Sequence, residues 1–107
     1  MNFTQPKYLA EANIQAEIYL ECKSQNIECY LEYRHENCRF DLVIVKNDSI
    51  IGIIEVKKTH HATTKKKLKI QREKYKRFGI PVHFCFHRGD IPYTMKIIQS
   101  WIDGIAA

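Results

Sequence analysis

Apolar residues recur at two different periods near the start of the chain, and the change of period separates a helix from a strand. In residues 6–26, Ile14, Ile18 and Cys22 recur every fourth position without an internal helix breaker, which predicts a helix. In residues 27–35, "IECYLEYRH", apolar and polar side chains alternate, which predicts a half-buried strand.

Two β-branched runs follow, "RFDLVIVK" and "SIIGIIEVK", with a turn at "NDS", and we expect them to form a β-hairpin. A basic stretch then begins as a loop, becomes a helix near Thr64 and ends at Gly79, a residue that suits a helix C-terminus. An apolar strand, "VHFCFH", and a last amphipathic helix, "IPYTMKIIQSWIDG", follow it.

These elements predict an α/β fold in the order α-β-β-β-α-β-α. A strand that follows a helical crossover usually runs parallel to a neighbour, so we expect a mixed central sheet flanked by helices. The length of 107 residues suits one domain, residues 1–107, whose core needs neither disulfides nor a metal to fold.

Composition narrows the class of protein. No apolar run approaches the length of a membrane span, and the N-terminus is too polar for a signal peptide. The four cysteines lack both zinc-ribbon spacing and the density of a disulfide framework. We therefore expect mostly buried free thiols in a reducing cytoplasm. We expect neither membrane contact nor an organic cofactor, and a phage or mobile element could encode the protein.

The formal net charge of +5 is concentrated in one segment. Residues 57–77 contain ten Lys or Arg residues and one Glu, so this segment carries +9 and the rest of the chain −4. Lysine runs are often only solvated surface, but this concentration favours a surface that binds phosphate groups. The candidate nucleic-acid-binding residues are Lys58, Lys65, Lys66, Lys67, Lys69, Arg72 and Tyr75.

Two carboxylates interrupt the apolar strands of the predicted hairpin. A three-residue turn pairs Lys46 with Ile50, and the same register places Asp41 opposite Glu55, with Lys57 one position along that face. A two-residue turn would send the carboxylates to opposite faces. Opposed like charges destabilise a sheet unless a cation lies between them, and oxygen ligands suit Mg²⁺. The alternative is a strand end with ordinary exposed charges.

The helices supply further polar candidates. Glu11 lies within about 60° of the apolar stripe of the first helix, and a carboxylate on that face needs a partner such as the predicted metal. Glu17 lies farther round and is the second choice. Gln71 and Tyr75 share one face of the basic helix. Gln71 could orient a nucleophile and Tyr75 could contact a phosphate or base, although a helical Tyr is often only core packing.

A known superfamily carries these residue types in the same order. The matching positions are Glu11, Asp41, Glu55-Val56-Lys57, Gln71 and Tyr75. The set resembles the PD-(D/E)XK nuclease superfamily and is most similar to small stand-alone members of its VRR-NUC, RecB-like and Holliday-junction-resolvase groups. The resemblance covers most of the chain, with one departure at Phe40, where the superfamily often has proline.

The resemblance implies a restriction-endonuclease-like core and a Mg²⁺-dependent DNA endonuclease, with Mn²⁺ as a substitute metal. It implies that Asp41, Glu55 and the Val56 carbonyl bind the metal, and that Glu11 holds a second metal or its water shell. Lys57 would position or deprotonate the attacking water or stabilise charge on the phosphate. Gln71 and Tyr75 would support the site, and branched or four-way-junction DNA is one candidate substrate.

Two alternatives to an endonuclease remain. One is a nuclease fold that binds nucleic acid without cutting it, and the other is a small subunit of a restriction or mobile-element complex. One site on so small a chain would not cut both DNA strands in a single encounter. We therefore expect a homodimer, joined through the last helix or an edge strand.

Overall fold

The computed structural model describes the backbone of residues 6–57, 63–76 and 78–104. It does not describe the side chains of residues 6–10, 63–65, 67, 68, 71 and 74. The helices are α1 (Pro6–Ser24), α2 (Thr63–Lys76) and α3 (Ile91–Asp103), and the strands are β1 (Cys29–His35), β2 (Cys38–Lys46), β3 (Ser49–Val56) and β4 (Val82–Cys85). The fold is α/β, and its element order departs from the predicted one by a short 3-10 turn, Arg88–Asp90, before α3.

The four strands form one mixed sheet in the order β1-β2-β3-β4. The first three strands are antiparallel neighbours, and β4 runs parallel to β3 after the crossover that contains α2. The predicted mixed sheet is therefore confirmed for the described residues. β1 and β4 are its two edge strands.

Each face of the sheet has its own apolar cluster. Helices α1 and α3 pack on one face, where the fully buried side chains are Ile18, Cys22, Cys29, Leu42, Ile44, Ile54, Cys85 and Ile98. Helix α2 contributes Tyr75 to the cluster on the other face, together with Phe40, Val43 and Ile53. A sheet covered on both faces explains why β2 and β3 have nearly continuous apolar sequences.

A two-residue turn closes the β2–β3 hairpin, and the predicted three-residue turn is wrong. Lys46 pairs with Ser49, which leaves only Asn47 and Asp48 between the strands. Both have positive φ, 53° and 64°. Two successive left-handed residues make the type I′ turn that matches strand twist, and Asn and Asp tolerate that conformation better than most residues.

A β-bulge restores the register that the shorter turn removes. Val45 pairs with Ile50 and Ile44 pairs with Gly52, so Ile51 is an extra residue on β3. Beyond the bulge the pairing follows the predicted register again, up to the last pair, Leu42 with Ile54. Asp41 and Glu55 are the next positions along the two strands and therefore lie opposite each other.

Strand β2 reverses its facing pattern at Asp41. Phe40 packs in the α2 cluster and Leu42 in the opposite cluster, although residues two apart on a regular strand share a face. Glu32, which lies opposite Asp41 on β1, has a left-handed φ of 51°. The regular alternation of side chains along β2 therefore stops at Asp41, and the irregularity occurs at a candidate site residue.

All four cysteines are buried free thiols, as the sequence predicted. A hydrogen bond between the thiols of Cys22 and Cys29, together with burial, raises the pKa of Cys22 and keeps it protonated. No helix among the described residues has the length and apolar character needed to cross a membrane.

Candidate active site

Asp41 and Glu55 hold the ends of β2 and β3 together through their side chains. The Asp41 backbone N–H donates to Glu55 Oε2 at 2.8 Å, and the Val56 backbone N–H donates to Asp41 Oδ2 at 2.9 Å. Each carboxylate is thus fixed by the backbone of the opposite strand at the point where the regular pairing stops. Such charge-assisted bonds are stronger than neutral ones and fix the carboxylates in place.

The Glu55 carboxylate is buried, with 2% of the residue exposed, and has two further partners. The Tyr75 hydroxyl donates to Oε1 at 3.1 Å from helix α2, and Lys57 Nζ lies 3.9 Å from the same oxygen. Lys57 follows β3 directly, and its backbone N–H donates to the Cys85 carbonyl of β4 at 2.9 Å. A helix, two strands and one cation therefore meet at a single carboxylate.

Burial makes both carboxylates harder to ionise. Desolvation, together with the nearby negative charge of Asp41, raises the pKa of Glu55 to about 7. Desolvation also raises the pKa of Asp41, against the opposing effects of the Val56 N–H and of Lys57. Burial and Glu55 raise the pKa of Tyr75 as well, so its phenol stays a hydrogen-bond donor. Closely placed acids with raised pKa values are typical of functional sites.

Helix α1 reaches the site through Gln15 and Glu11. Gln15 Nε2 donates to the Asp41 carbonyl at 2.7 Å, which anchors the helix to the irregular part of β2. Glu11, one turn earlier, lines the cavity beside Asp41. Glu17, the second choice, instead forms an ion pair with Arg88 at 2.6 Å. Glu11 is therefore the α1 carboxylate that lies nearer to the candidate site.

An open cavity of about 330 Å³ lies over Asp41 and Lys57. Its lining combines acids, bases and an amide, and consists of Glu11, Ala12, Gln15, Glu32, Arg39, Asp41, Val56 and Lys57. Arg39 and Lys57 supply positive charge to a space that the Asp41 carboxylate borders. The cavity can therefore bring an anionic group, such as a phosphate, close to the Asp41 carboxylate.

The donor set fits Mg²⁺. Among the described residues, no group of three or more His, Cys, Asp and Glu side chains is arranged to hold a metal ion. Mg²⁺ commonly takes only one or two protein carboxylates, with water and substrate phosphate completing its octahedron. Asp41 and Glu55 provide two such carboxylates, and each carboxylate oxygen keeps a lone pair beyond the hydrogen bonds given above. The Val56 carbonyl belongs to the same strand end.

The basic helix α2 presents exposed cations on the Tyr75 face of the sheet. Lys66, Lys69 and Arg72 are exposed, and the Arg72 guanidinium lies 4.9 Å from the centre of the Phe84 ring. Lys58 is not among the described residues. For Lys65, Lys67 and Gln71 the structure describes the backbone and not the side chain.

Tyr75 has a different environment from the other predicted nucleic-acid-binding residues. Its side chain is 4% exposed and its ring packs edge-on against Phe40, with centroids 5.2 Å apart. A buried ring offers no face on which a base could stack. The predicted direct contact of Tyr75 with nucleic acid therefore does not agree with its position in the structure. Its hydroxyl supports Glu55 instead.

Three residues that line the cavity, Gln15, Glu32 and Arg39, were not among the candidates predicted from the sequence. The i, i+4 spacing from Glu11 to Gln15 was a usable signal, because such residues share a helix face. Glu32 and Arg39 reach the cavity from the irregular part of the β1–β2 hairpin. Regular alternation gives no signal for that placement.

Comparison with known proteins found no match. Neither a protein-family model nor a curated protein matches the chain, and no solved structure matches its fold.

Proposed function

We propose that this chain is a Mg²⁺-dependent DNA endonuclease with a restriction-endonuclease-like core. The observation that carries the proposal is the placement of Asp41 and Glu55, each hydrogen-bonded to the opposite strand, with Lys57 Nζ 3.9 Å from Glu55. A buried acid, Glu55, beside a half-buried acid, Asp41, is an unfavourable arrangement for stability alone, even with one cation nearby. A divalent cation bound between the two carboxylates would make the arrangement favourable.

Asp41 and Glu55, with the Val56 carbonyl, would hold the metal. When bound, Mg²⁺ would supply positive charge for the reacting phosphate and lower the pKa of a bound water. The raised pKa values of both acids support this role, since a nearby cation would favour their ionised forms. Glu11, on the wall of the same cavity, would act on a second metal or on ordered water.

Lys57 would act on the attacking water or on the phosphate. Its side chain is 31% exposed, lines the cavity with Asp41, and lies near Glu55 Oε1. An ammonium placed there can orient the water and stabilise the negative charge that grows on the phosphate as the water oxygen bonds to phosphorus and a P–O ester bond breaks.

Helix α2 would position both the site and the DNA. Tyr75 fixes Glu55 through its hydroxyl, while Lys66, Lys69 and Arg72 are exposed on the same helix. Lysine and arginine that neutralise backbone phosphates provide binding that weakens as salt rises. Gln71, between Arg72 and Ile70, would support the site from the same helix.

A homodimer would place two such sites on one duplex. The single site of this chain would cut one strand in each encounter, so cutting both strands together requires a second copy. The proposed interface is α3 or an edge strand, β1 or β4. Light scattering at micromolar concentration tests the proposal, and a mass of one chain would contradict it.

The test of activity is a panel of branched, flapped, duplex and single-stranded DNA, incubated with Mg²⁺ or with EDTA. The wild type is compared with Asp41→Asn, which keeps the shape of the side chain but removes its charge. Asp48→Asn is the matched control, because Asp48 is exposed in the hairpin turn. We expect Mg²⁺-dependent cleavage by the wild type and Asp48→Asn, and none above background by Asp41→Asn.

Other outcomes would support the alternative functions. If Asp41→Asn cuts like the wild type, or EDTA changes nothing, the assignment of the metal site is wrong. Salt-sensitive DNA binding without cleavage in Mg²⁺ or Mn²⁺ would support a binding module. Absence of salt-sensitive binding would support a subunit that needs a partner.

A further inference from the structure

A second cavity, of about 390 Å³, lies beside the edge strand β4. We call it the aromatic cavity. Its lining includes Arg72, His83, Phe84, Phe86, Asp90 and Tyr93. None of them has a role in the proposed cleavage except Arg72, which belongs to the exposed basic helix. The aromatic cavity is thus distinct from the one over Asp41.

The aromatic cavity lies one strand away from the carboxylates. Phe84 of β4 pairs directly with Glu55 of β3 in the parallel register. On helix α2, Arg72 precedes Tyr75 by three positions, and these two side chains contact Phe84 and Glu55 respectively. A DNA strand with a phosphate at the carboxylates would therefore have a neighbouring nucleotide near this cavity.

Aromatic rings form much of its lining. The Tyr93 ring is 60% exposed and lies tilted against the His83 ring, with centroids 5.6 Å apart. The Phe84 and Phe86 rings are stacked at 6.4 Å. His83 is held by Thr94 through a contact of 3.1 Å. An open cavity with an exposed tyrosine ring beside a held imidazole suits a flat aromatic ligand, which can enter from solvent and stack.

Opposite charges flank these rings. The Arg72 guanidinium covers the Phe84 ring, which holds it near the cavity wall by a cation–π contact. Asp90 Oδ2 accepts the Phe86 backbone N–H at 3.0 Å, so the carboxylate is also held in position. A guanidinium suits a phosphate, and a carboxylate can accept a hydrogen bond from an exocyclic amino group.

We propose that the aromatic cavity binds one unstacked nucleobase of a DNA single strand, with an adjacent phosphate on Arg72. This inference deepens the proposed function, on which the naming of DNA as the ligand rests. A base inside a duplex cannot present its face to Tyr93 without leaving the stack. The preferred substrate therefore contains a single-stranded segment, as a flap, an overhang or a free strand does.

The test measures binding in EDTA, where cleavage cannot occur, by fluorescence anisotropy with a labelled single strand and a blunt duplex of the same sequence. Tyr93→Ala should weaken single-strand binding between about 5-fold and about 100-fold, the range expected for one stacked base, and change duplex binding little. Tyr93→Phe keeps the ring and should bind like the wild type. Tyr30→Ala is the matched control, because Tyr30 is an exposed tyrosine on the opposite edge strand, β1.

A second readout reports stacking directly. A single 2-aminopurine, moved stepwise along the strand, should change its emission at one position on binding the wild type or Tyr93→Phe, and should show no such position-specific change with Tyr93→Ala. Equal affinities of Tyr93→Ala and Tyr30→Ala for the single strand, or a blunt duplex bound as tightly as the single strand, would overturn the inference.

The two proposals fail in different ways. If the wild type cuts DNA in Mg²⁺ but Tyr93→Ala binds single strands normally, the base site is wrong and the nuclease assignment stands. If Tyr93→Ala loses single-strand affinity and the position-specific change of emission but the wild type cuts nothing, the base site stands in a protein that binds without cutting.

Discussion

Asp41 and Glu55 are joined across two strands by a bond in which the backbone N–H of Asp41 donates to the carboxylate of Glu55 at 2.8 Å. The Asp41 carboxylate, in turn, accepts the N–H of Val56, the residue after Glu55. The same two side chains therefore complete the sheet and concentrate negative charge. Substitution by the matching amide keeps an acceptor for the strand bond and removes the charge, so it separates the structural role from the electrostatic one.

The first prediction concerns stability without metal as a function of pH. The pKa of Glu55 is raised from 4.5 to about 7 in the folded protein, so folding favours its neutral form. Its contribution is fully present below pH 4.5 and is lost as pH rises to about 7. At about 1.4 kcal/mol per pKa unit, the loss is on the order of 3 kcal/mol. In EDTA, Tm should fall across this window and then level off.

The control for that prediction is Glu55→Gln, which cannot ionise and should flatten the decline, while Glu36→Gln, at an exposed turn, should leave it unchanged. Mg²⁺ should raise Tm more at pH 7.5 than at pH 5, because it favours the ionised carboxylates. A wild-type Tm that declines no more than that of Glu55→Gln over this window would contradict the raised pKa.

The second prediction assigns Tyr75 a positioning role. Its hydroxyl bond lowers the pKa of Glu55 against the larger effect of burial. Tyr75→Phe keeps the ring that packs against Phe40 but removes this bond, so the pKa of Glu55 should rise further. The acidic limb of the pH–rate profile should move to higher pH, by roughly one unit if the bond is worth about 1.5 kcal/mol.

Tyr33→Phe is the matched control for Tyr75→Phe. Tyr33 is half-buried against the same apolar cluster, so Tyr33→Phe removes a hydroxyl from a similar environment. A purely structural role of Tyr75 would lower Tm without moving the pH profile. An unmoved acidic limb in Tyr75→Phe would therefore contradict the positioning role.

The opposition of Asp41 and Glu55 could be predicted from sequence, although the predicted turn was wrong. Periodicity placed the strands, and the apolar pattern required that β2 and β3 bury their side chains in register. The actual turn contains two residues, and the bulge at Ile51 offsets the change. A bulge has no reliable signal in a β-branched run, because its position depends on packing with distant parts of the chain.

The surroundings of the carboxylates were less predictable. The reversal of β2 at Asp41 coincides with a left-handed Glu32 on the neighbouring strand, a conformation that sequence does not indicate for glutamate. The contact between Tyr75 and Glu55 joins residues 20 positions apart on different elements. Helical spacing could place Tyr75 on the inner face of α2. It could not decide whether the Tyr75 side chain is buried or is exposed and contacts a phosphate.

The third prediction tests the packing beside the bulge. A Cβ added at Gly52 would lie 2.1 Å from Trp101 Cε3, and the indole is itself packed against the α1–α3 cluster. Gly52→Ala should therefore force the indole or the strand to move and should destabilise the fold by about 1–3 kcal/mol or more in urea denaturation. It should also disturb the register that brings Glu55 opposite Asp41, and so reduce cleavage.

Gly89→Ala is the matched control, because the Cβ there would meet only the exposed His87 ring, at 3.1 Å. We expect this control to change the free energy of unfolding by less than about 0.5 kcal/mol. A Gly52→Ala variant as stable as Gly89→Ala would show that the indole and strand β3 can separate without cost.

The last prediction uses salt to map the DNA-binding surface. Lys69 is exposed on α2, on the same helix as Tyr75 and Arg72, while Lys96 is also exposed but lies on α3, which packs on the other face of the sheet. If Lys69 neutralises a DNA phosphate, Lys69→Gln should make the plot of log K against log salt shallower by about 0.7–0.9. Lys96→Gln removes the same net charge and should leave the slope unchanged, because a contribution from total charge alone would affect both variants equally. Equal slopes for the two variants would place the phosphate contacts away from Lys69, whatever the effect of either change on affinity at one salt concentration.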